Sequence, residues 1–382
     1  FFFKQKTAYE IPKRDWSSDV CSSDLTTGKK GSDRSLTLNV TGVNGKYGVL
    51  VDSSSSPKTQ RNTIKNLKIS TGASSTLSGT GYAGVWLLAV SRDTANQVIN
   101  CDITKFGESG ILADKQQNLV LDKNYIHDVT QNAGSTNIKG IWLRNNTFNA
   151  SVTRNVISNI LNQVNGGAAI GISNDIGFGS NLICANNMIS HILSSGNGTF
   201  ANTSRGIYSF ASNSGDKYFY NSINLYGTDN SSSTSSRSVA FEFGLSATQP
   251  TLKNNVFVNR TTSTETSVAH TFGYYFLTNP SSLTTDYNDI YVPNGIIGYD
   301  GTNRTTMLDW IASGKDANSV SDNPRFVSDT DLHIVGNQRT IVESWGNASG
   351  ITGIVDNDVD GDRSEEHTSE LQSRFGIVCR LL

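Results

Sequence analysis

The sequence repeats itself, and that repeat limits the folds open to it more than any other feature. A short apolar strand carrying Asn, and Ile two residues later, returns again and again. The first of these positions is Leu67, Cys101, Asn124, Asn155, Asn187, Asn221, Asn255 and Asn288. The second is Ile69, Ile103, Ile126, Ile157, Ile189, Ile223, Phe257 and Ile290. Successive spacings are 34, 23, 31, 32, 34, 34 and 33 residues. A period in this range, rich in β-branched residues and without helical spacing, means a stacked solenoid.

Each unit has a second part, a small residue followed by in-out-in alternation. It reads Gly84-Val85-Trp86-Leu87, Gly110-Ile111-Leu112-Ala113 and Gly140-Ile141-Trp142-Leu143. Later copies are Ala169-Ile170-Gly171-Ile172, Gly206-Ile207-Tyr208-Ser209, Ser238-Val239-Ala240-Phe241 and Gly273-Tyr274-Tyr275-Phe276. A period-2 apolar face on a short strand cannot be buried by one unit alone, so units must stack. Parallel stacking about 4.8 Å apart pairs the backbones and builds one continuous interior. Crossovers between parallel strands are right-handed. The expectation is an all-β, right-handed parallel β-helix. Asn in the aligned column suits it, through side-chain bonding between units and tolerance of bends. The variable stretches 71–83, 131–138, 194–204, 228–236 and 261–271 should then gather at one corner.

Around the repeat, 35–51 reads as two strands with a turn at Asn44-Gly45, followed by an exposed Ser-rich linker over 52–60. Residues 26–300 are assigned to the β-helix rungs. Residues 301–362 form its C-terminal end, with a short helix over 305–314 suggested by the spacing of Leu308 and Ile311 before Gly314. The two ends are different. The run RSEEHTSELQS from Arg363 resembles a translation of sequencing-adapter DNA, and RDWSSDVCSSDL from Arg14 resembles a translation of its reverse complement. Residues 1–25 and 363–382 are therefore read as adapter-derived and set apart from the fold.

Charge and cysteine follow from that division. Residues 1–25 hold four basic and four acidic residues and 363–382 three of each, so the net charge of −2 belongs to the core. A balance so near neutral gives no support for nucleic-acid binding, which would need a basic surface. No apolar run is long enough to span a membrane, and no signal peptide is visible. The cysteines left in the core, Cys101 and Cys184, are expected as buried free thiols. Asn-x-Ser/Thr triplets such as Asn39-Val40-Thr41 are expected by chance in a chain so rich in these residues.

The run DYNDIYV, then LDWIASGKDANSVSDNPRFVSDTDLHI, then VDNDVDGD resembles the C-terminal end of secreted right-handed parallel β-helix repeat proteins of Bacteroidota type, with a pectin-lyase-like fold. That resemblance implies a fold and an extracellular or cell-surface setting, and leaves the activity open. Pectate-lyase-like enzymes on this fold use a basic residue to take a proton next to a uronate carboxylate. The Asn-Thr-Asp, Asp-Asp and Gly-His-Gly signatures of pectin hydrolases are missing from the core. His127, His191, His270 and His333 share no column, and the middle Asp residues single out no catalytic pair. No catalytic residue is assigned.

A binding stripe is better marked. The position two after the small residue faces outward and reads Trp86, Leu112, Trp142, Gly171, Tyr208, Ala240 and Tyr275. The residue before it reads Lys139, Ala168, Arg205 and Arg237 over four consecutive units. Aromatic faces stack on sugar rings, and Lys or Arg pair with carboxylate or sulfate. Trp86, Trp142, Tyr208, Tyr275, Lys139, Arg205 and Arg237 are thus the candidate carbohydrate-binding residues, suited to an extended anionic polysaccharide. The competing account packs the aromatics beneath loops and leaves the cations as solvated charges. Asp356, Asp358 and Asp360 before Gly361 match the first half of a calcium loop. The twelfth position, however, is His367 and not Glu. Calcium is the one cofactor these residues suggest.

The expected protein is a monomeric, secreted or cell-surface β-helix, non-catalytic, that binds a polysaccharide or serves as an adhesin-like stalk. Two alternatives stay open, a lyase or glycoside hydrolase acting on an acidic polysaccharide and a purely structural spacer.

Overall fold

The computed structural model describes residues 34–360, apart from 35, 41–46, 54–57, 72–81, 133–136, 176–179, 196–202, 211–214, 246–247, 336–339, 343–345 and 356. The segments 1–25 and 363–382 and the turn at Asn44-Gly45 lie outside the described residues.

Three long sheets run the length of a parallel β-helix. Sheet I has nine strands, from Leu36–Asn39 through Tyr125–Gln131 to Asp289–Tyr291. Sheet II has ten, from Tyr47–Ser53 through Ile138–Arg144 to Asn303–Arg304, the last antiparallel. Sheet III has eight short strands, from Thr63–Lys65 to Thr284–Asp286. The chain passes from III to I to II and round again. The variable stretches all join sheet I to sheet II, as the repeat required.

The aligned Asn column turns the corner from III to I, and its side chains form a closed hydrogen-bond ladder. Asn155 Nδ2 donates to Asn187 Oδ1 at 2.9 Å and to the Leu121 carbonyl at 3.0 Å. Its backbone N–H also donates to Asn187 Oδ1, at 3.0 Å. The same pattern recurs at Asn124, Asn187, Asn221 and Asn255. The repeat alone assigns the bend to these Asn residues, but the left-handed backbone belongs to the residue before each. Lys123, Arg154, Asn186, Tyr220, Asn254 and Tyr287 have φ of 57°, 55°, 55°, 55°, 58° and 56°. The ladder pays for that bend with hydrogen bonds.

Inside, the Ile column of sheet I touches the small column of sheet II. A Cβ on Gly84, Gly140 or Gly206 would lie 2.3, 2.7 and 2.7 Å from Cγ2 of Ile103, Ile157 and Ile223 in turn. In the single rung where Phe257, which has no Cγ2, replaces Ile, the register puts Ala240 where the glycine would be. Towards the C-terminus the core turns aromatic, with Tyr218, Phe241, Phe243, Tyr274 and Phe276 in edge-on and tilted contact.

The helix Met307–Ala312 closes that end. Thr306 and Asp309 form a capping box at its start. The expected helix is present, but its buried residue is Trp310, while Leu308 is 76% exposed. Trp310 stacks on Tyr274 and donates from Nε1 to Asp316 at 2.8 Å. Asp316 also takes bonds from Thr285, Ser319 and Asn288, which ends the Asn ladder. The chain then turns back along the outside as a strap. Asn347 pairs with Asn254 at 2.9 Å, Ser349 accepts from Lys253, and the Asp360 carbonyl accepts from Lys123 at 3.2 Å. Cys101 and Cys184 are buried and free, as expected.

Candidate functional site

The outer face of sheet II gathers most of the stripe. Strand register aligns Trp86, Leu112, Trp142, Ser173, Tyr208, Glu242, Tyr275 and Tyr299 in one column. Two members of the sequence column, Gly171 and Ala240, are thereby corrected to Ser173 and Glu242, a slip of two residues. The neighbouring column reads Ser109, Lys139, Ile170, Arg205 and Val239. Lys139 and Arg205 share it. Ala168 and Arg237 do not, because each stands two residues earlier.

Cations lie over the rings. Lys139 Nζ is 3.2 Å from the Trp142 centroid, the Arg205 guanidinium 4.4 Å from Tyr208, and that of Arg237 5.6 Å from Tyr275. Each of these three cations thus lies against a ring, with Arg237 partly exposed. Arg144, absent from the sequence prediction, lies 4.6 Å from Trp142 and 5.9 Å from Trp86. Such contacts contribute about 0.5–2 kcal/mol each according to their exposure.

Carboxylates stand behind the cations. Arg144 is paired to Asp114 at 2.7 Å and Arg205 to Glu242 at 2.5 Å. Asn145 also donates to Asp114. Trp142 Nε1 donates to Asp175 Oδ2 at 2.6 Å, and Ser173 Oγ to the same oxygen at 3.2 Å. Burial pushes the Lys139 ammonium down to about 8, against the pull of Asp175 and Glu108. Burial likewise raises the phenol of Tyr208. The stripe is thus a ladder of rings, cations and buried acids, in which each cation already has a partner.

Trp86, preceded in the column by Leu50, is edge-on to Tyr47 at 4.9 Å. Tyr275, near the other end, stacks on Tyr299 at 4.6 Å and packs with Phe272. Asp114, Arg144 and Asp175 share one register column, two residues beyond the aromatic one, which the slip at Gly171 hid, while Glu108 and Glu242 stand in other columns.

Of the proposed calcium residues, Asp356 lies outside the described residues. Asp360 faces His333 at 3.3 Å, which raises the imidazole to about 9. Among the described residues no group of three or more His, Cys, Asp or Glu is placed to hold a metal. Likewise no described helix is long and apolar enough to cross a membrane.

Fold and face together define the class, a parallel β-helix protein with a polar, aromatic-lined outer sheet. No family model matches the chain, and no curated protein matches it. Among solved structures it is similar to DFA-IIIase from Arthrobacter chlorophenolicus A6 without its lid. The identity is 11%, over 70% of this chain and 72% of that one, with a TM-score of 0.31.

Proposed function

We propose that this chain is an extracellular β-helix protein that holds an extended polysaccharide along the outer face of sheet II. One observation carries the reading. Trp86, Trp142, Tyr208 and Tyr275 recur on alternate rungs of a single column. Two rungs measure about 9.6 Å, close to two sugar units of an extended chain, so the rings of Trp86, Trp142 and Tyr208 would each meet every second sugar, while Tyr275 is buried at the end of the row. Cations and carboxylates between the rings supply donors and acceptors for hydroxyl groups. The extracellular setting rests on the low charge, the Asn, Ser and Thr content and the resemblance of the C-terminal run.

The test is retention on immobilised polysaccharides. Trp142→Ala should weaken retention several-fold while the β-sheet circular dichroism is unchanged. Unchanged retention would sink the stripe.

A polysaccharide lyase is the second reading, favoured by Lys139. An ammonium brought down to about 8 is partly free amine near neutrality and able to take a proton. Incubation with uronate polymers, followed by ultraviolet absorbance for unsaturated ends, decides it. A rise lost in Lys139→Met supports the lyase, and a flat trace removes it.

A further inference from the structure

The segments that lead into and out of the coil meet at one residue. Arg34 precedes the first strand of sheet I. It donates from Nε to the Asn100 carbonyl at 3.1 Å and from Nη2 to the Lys123 carbonyl at 3.2 Å. Lys123 Nζ donates in turn to the Asp360 carbonyl at 3.2 Å. Asn100 and Lys123 both stand at the corner between sheets III and I. The incoming segment therefore lies against that corner, and the strap comes down it from the other direction, past Asn254 and Asn186.

A solenoid that only climbs leaves its two leads a full coil apart, because each rung touches only its neighbours. Sheet I has nine strands, about 38 Å from first to last at about 4.8 Å per step. The strap cancels most of that climb. It returns from the last rung to Lys123, beside the fourth strand of sheet I. Its apolar contacts show which sides of the coil it uses. Ile334 and Val342 pack on Val256 and Val258 of sheet I, and Ile351 packs on Ala185 and Phe219 of sheet III. None of the described residues in these two clusters belongs to sheet II. In a three-sided coil, the side opposite the corner of III and I is sheet II.

We infer that the coil is hung by both leads from its III–I corner, with the outer face of sheet II turned away from the attachment. The chain then presents that face side-on to an extended polymer, which lies along the ring column on the side away from both leads. This counts against the structural spacer, because a spacer gains reach only when its leads leave from opposite ends. It holds whichever polymer the face takes, and so stands apart from the polysaccharide reading.

The experiment is electron–electron double resonance between nitroxide labels on the full chain, carrying Cys21→Ser and Cys379→Ser. Cys101 and Cys184 are buried and escape the label. One pair, Thr37→Cys with Val359→Cys, reads the separation of the leads. A second pair, Thr37→Cys with Thr302→Cys, spans the coil and reports that it is folded. The spanning pair should lie about 40 Å apart, and the lead pair at less than about half of that, in a narrow distribution. A lead pair as far apart as the spanning pair would overturn the inference. So would a lead pair spread over the whole range while the spanning pair stays sharp, since the leads would then not be held together.

Discussion

At the scale of single residues, a contact between two columns governs which substitutions the interior accepts. Gly206 is small because the Ala240 carbonyl oxygen and Cγ2 of Ile223 occupy the space where its Cβ would stand, at 2.5 and 2.7 Å. Gly206→Ala should therefore destabilise by about 1–3 kcal/mol, as overpacking does. Gly206→Ala with Ile223→Phe copies the Ala240–Phe257 pair, and should lose less than the sum of the two single changes. A double-mutant cycle from denaturant unfolding checks this, and strict additivity would mean that the two columns do not communicate. The residue scale is also where the sequence misled. Alternation has period two, so a slip of two residues leaves every inward side chain inward and raises no alarm. Taking Ala169 and Ser238 as the small residues, in place of Gly171 and Ala240, hid Ser173 and Glu242 from the aromatic column. With the correct register, residue spacing alone places an acid between Tyr208 and Tyr275.

At the scale of elements, the Asn ladder was the most legible feature, because the same side chain serves the same bonds on rung after rung. Asn187 Oδ1 accepts from both the backbone and the side chain of Asn155, and its Nδ2 donates to the Val152 carbonyl at 2.9 Å. Asn187→Leu would strip partners from three buried groups at once. The expected cost exceeds about 3 kcal/mol, read as a large drop in melting temperature. A loss under about 1 kcal/mol would mean that the ladder is decorative. The cap was half legible. Its Gly314 stop and helical spacing were plain, but spacing alone could not tell that Trp310 would be the residue turned into the core. That choice depends on Tyr274 and Phe276, which the rungs deliver from a distance in sequence.

At the scale of the whole molecule, the strap was not foreseen at all. Its partners are up to 237 residues apart, and it has no repeat to betray it. The ion pair that ties its first half to its end, His333 with Asp360, is pH-dependent. Asp360 and Asp331 raise His333 to about 9. Its contribution is therefore complete below the unfolded value of roughly 6.5 and is lost as pH rises through about 9. Asp360 is held below its usual range by His333, so its share is present above the unfolded value near 3.9 and fades in acid. Protection of the strap amides from hydrogen exchange, corrected for the intrinsic rate, should be greatest between roughly pH 5 and 6.5 and fall as pH rises through about 9. His333→Gln should flatten the alkaline side. A flat profile in the parent would show that the ion pair does not hold the strap.

The same strap has a mechanical consequence. A pull applied beyond residue 360 does not load the rungs together. It peels contacts one at a time, first Lys123 from Asp360, then Asn186 from Asn357, then Lys253 and Asn254 from Ser349 and Asn347. Each break lengthens the tether and dissipates work before tension reaches Trp310. The last stretch of chain therefore acts as a shock absorber in front of the cap.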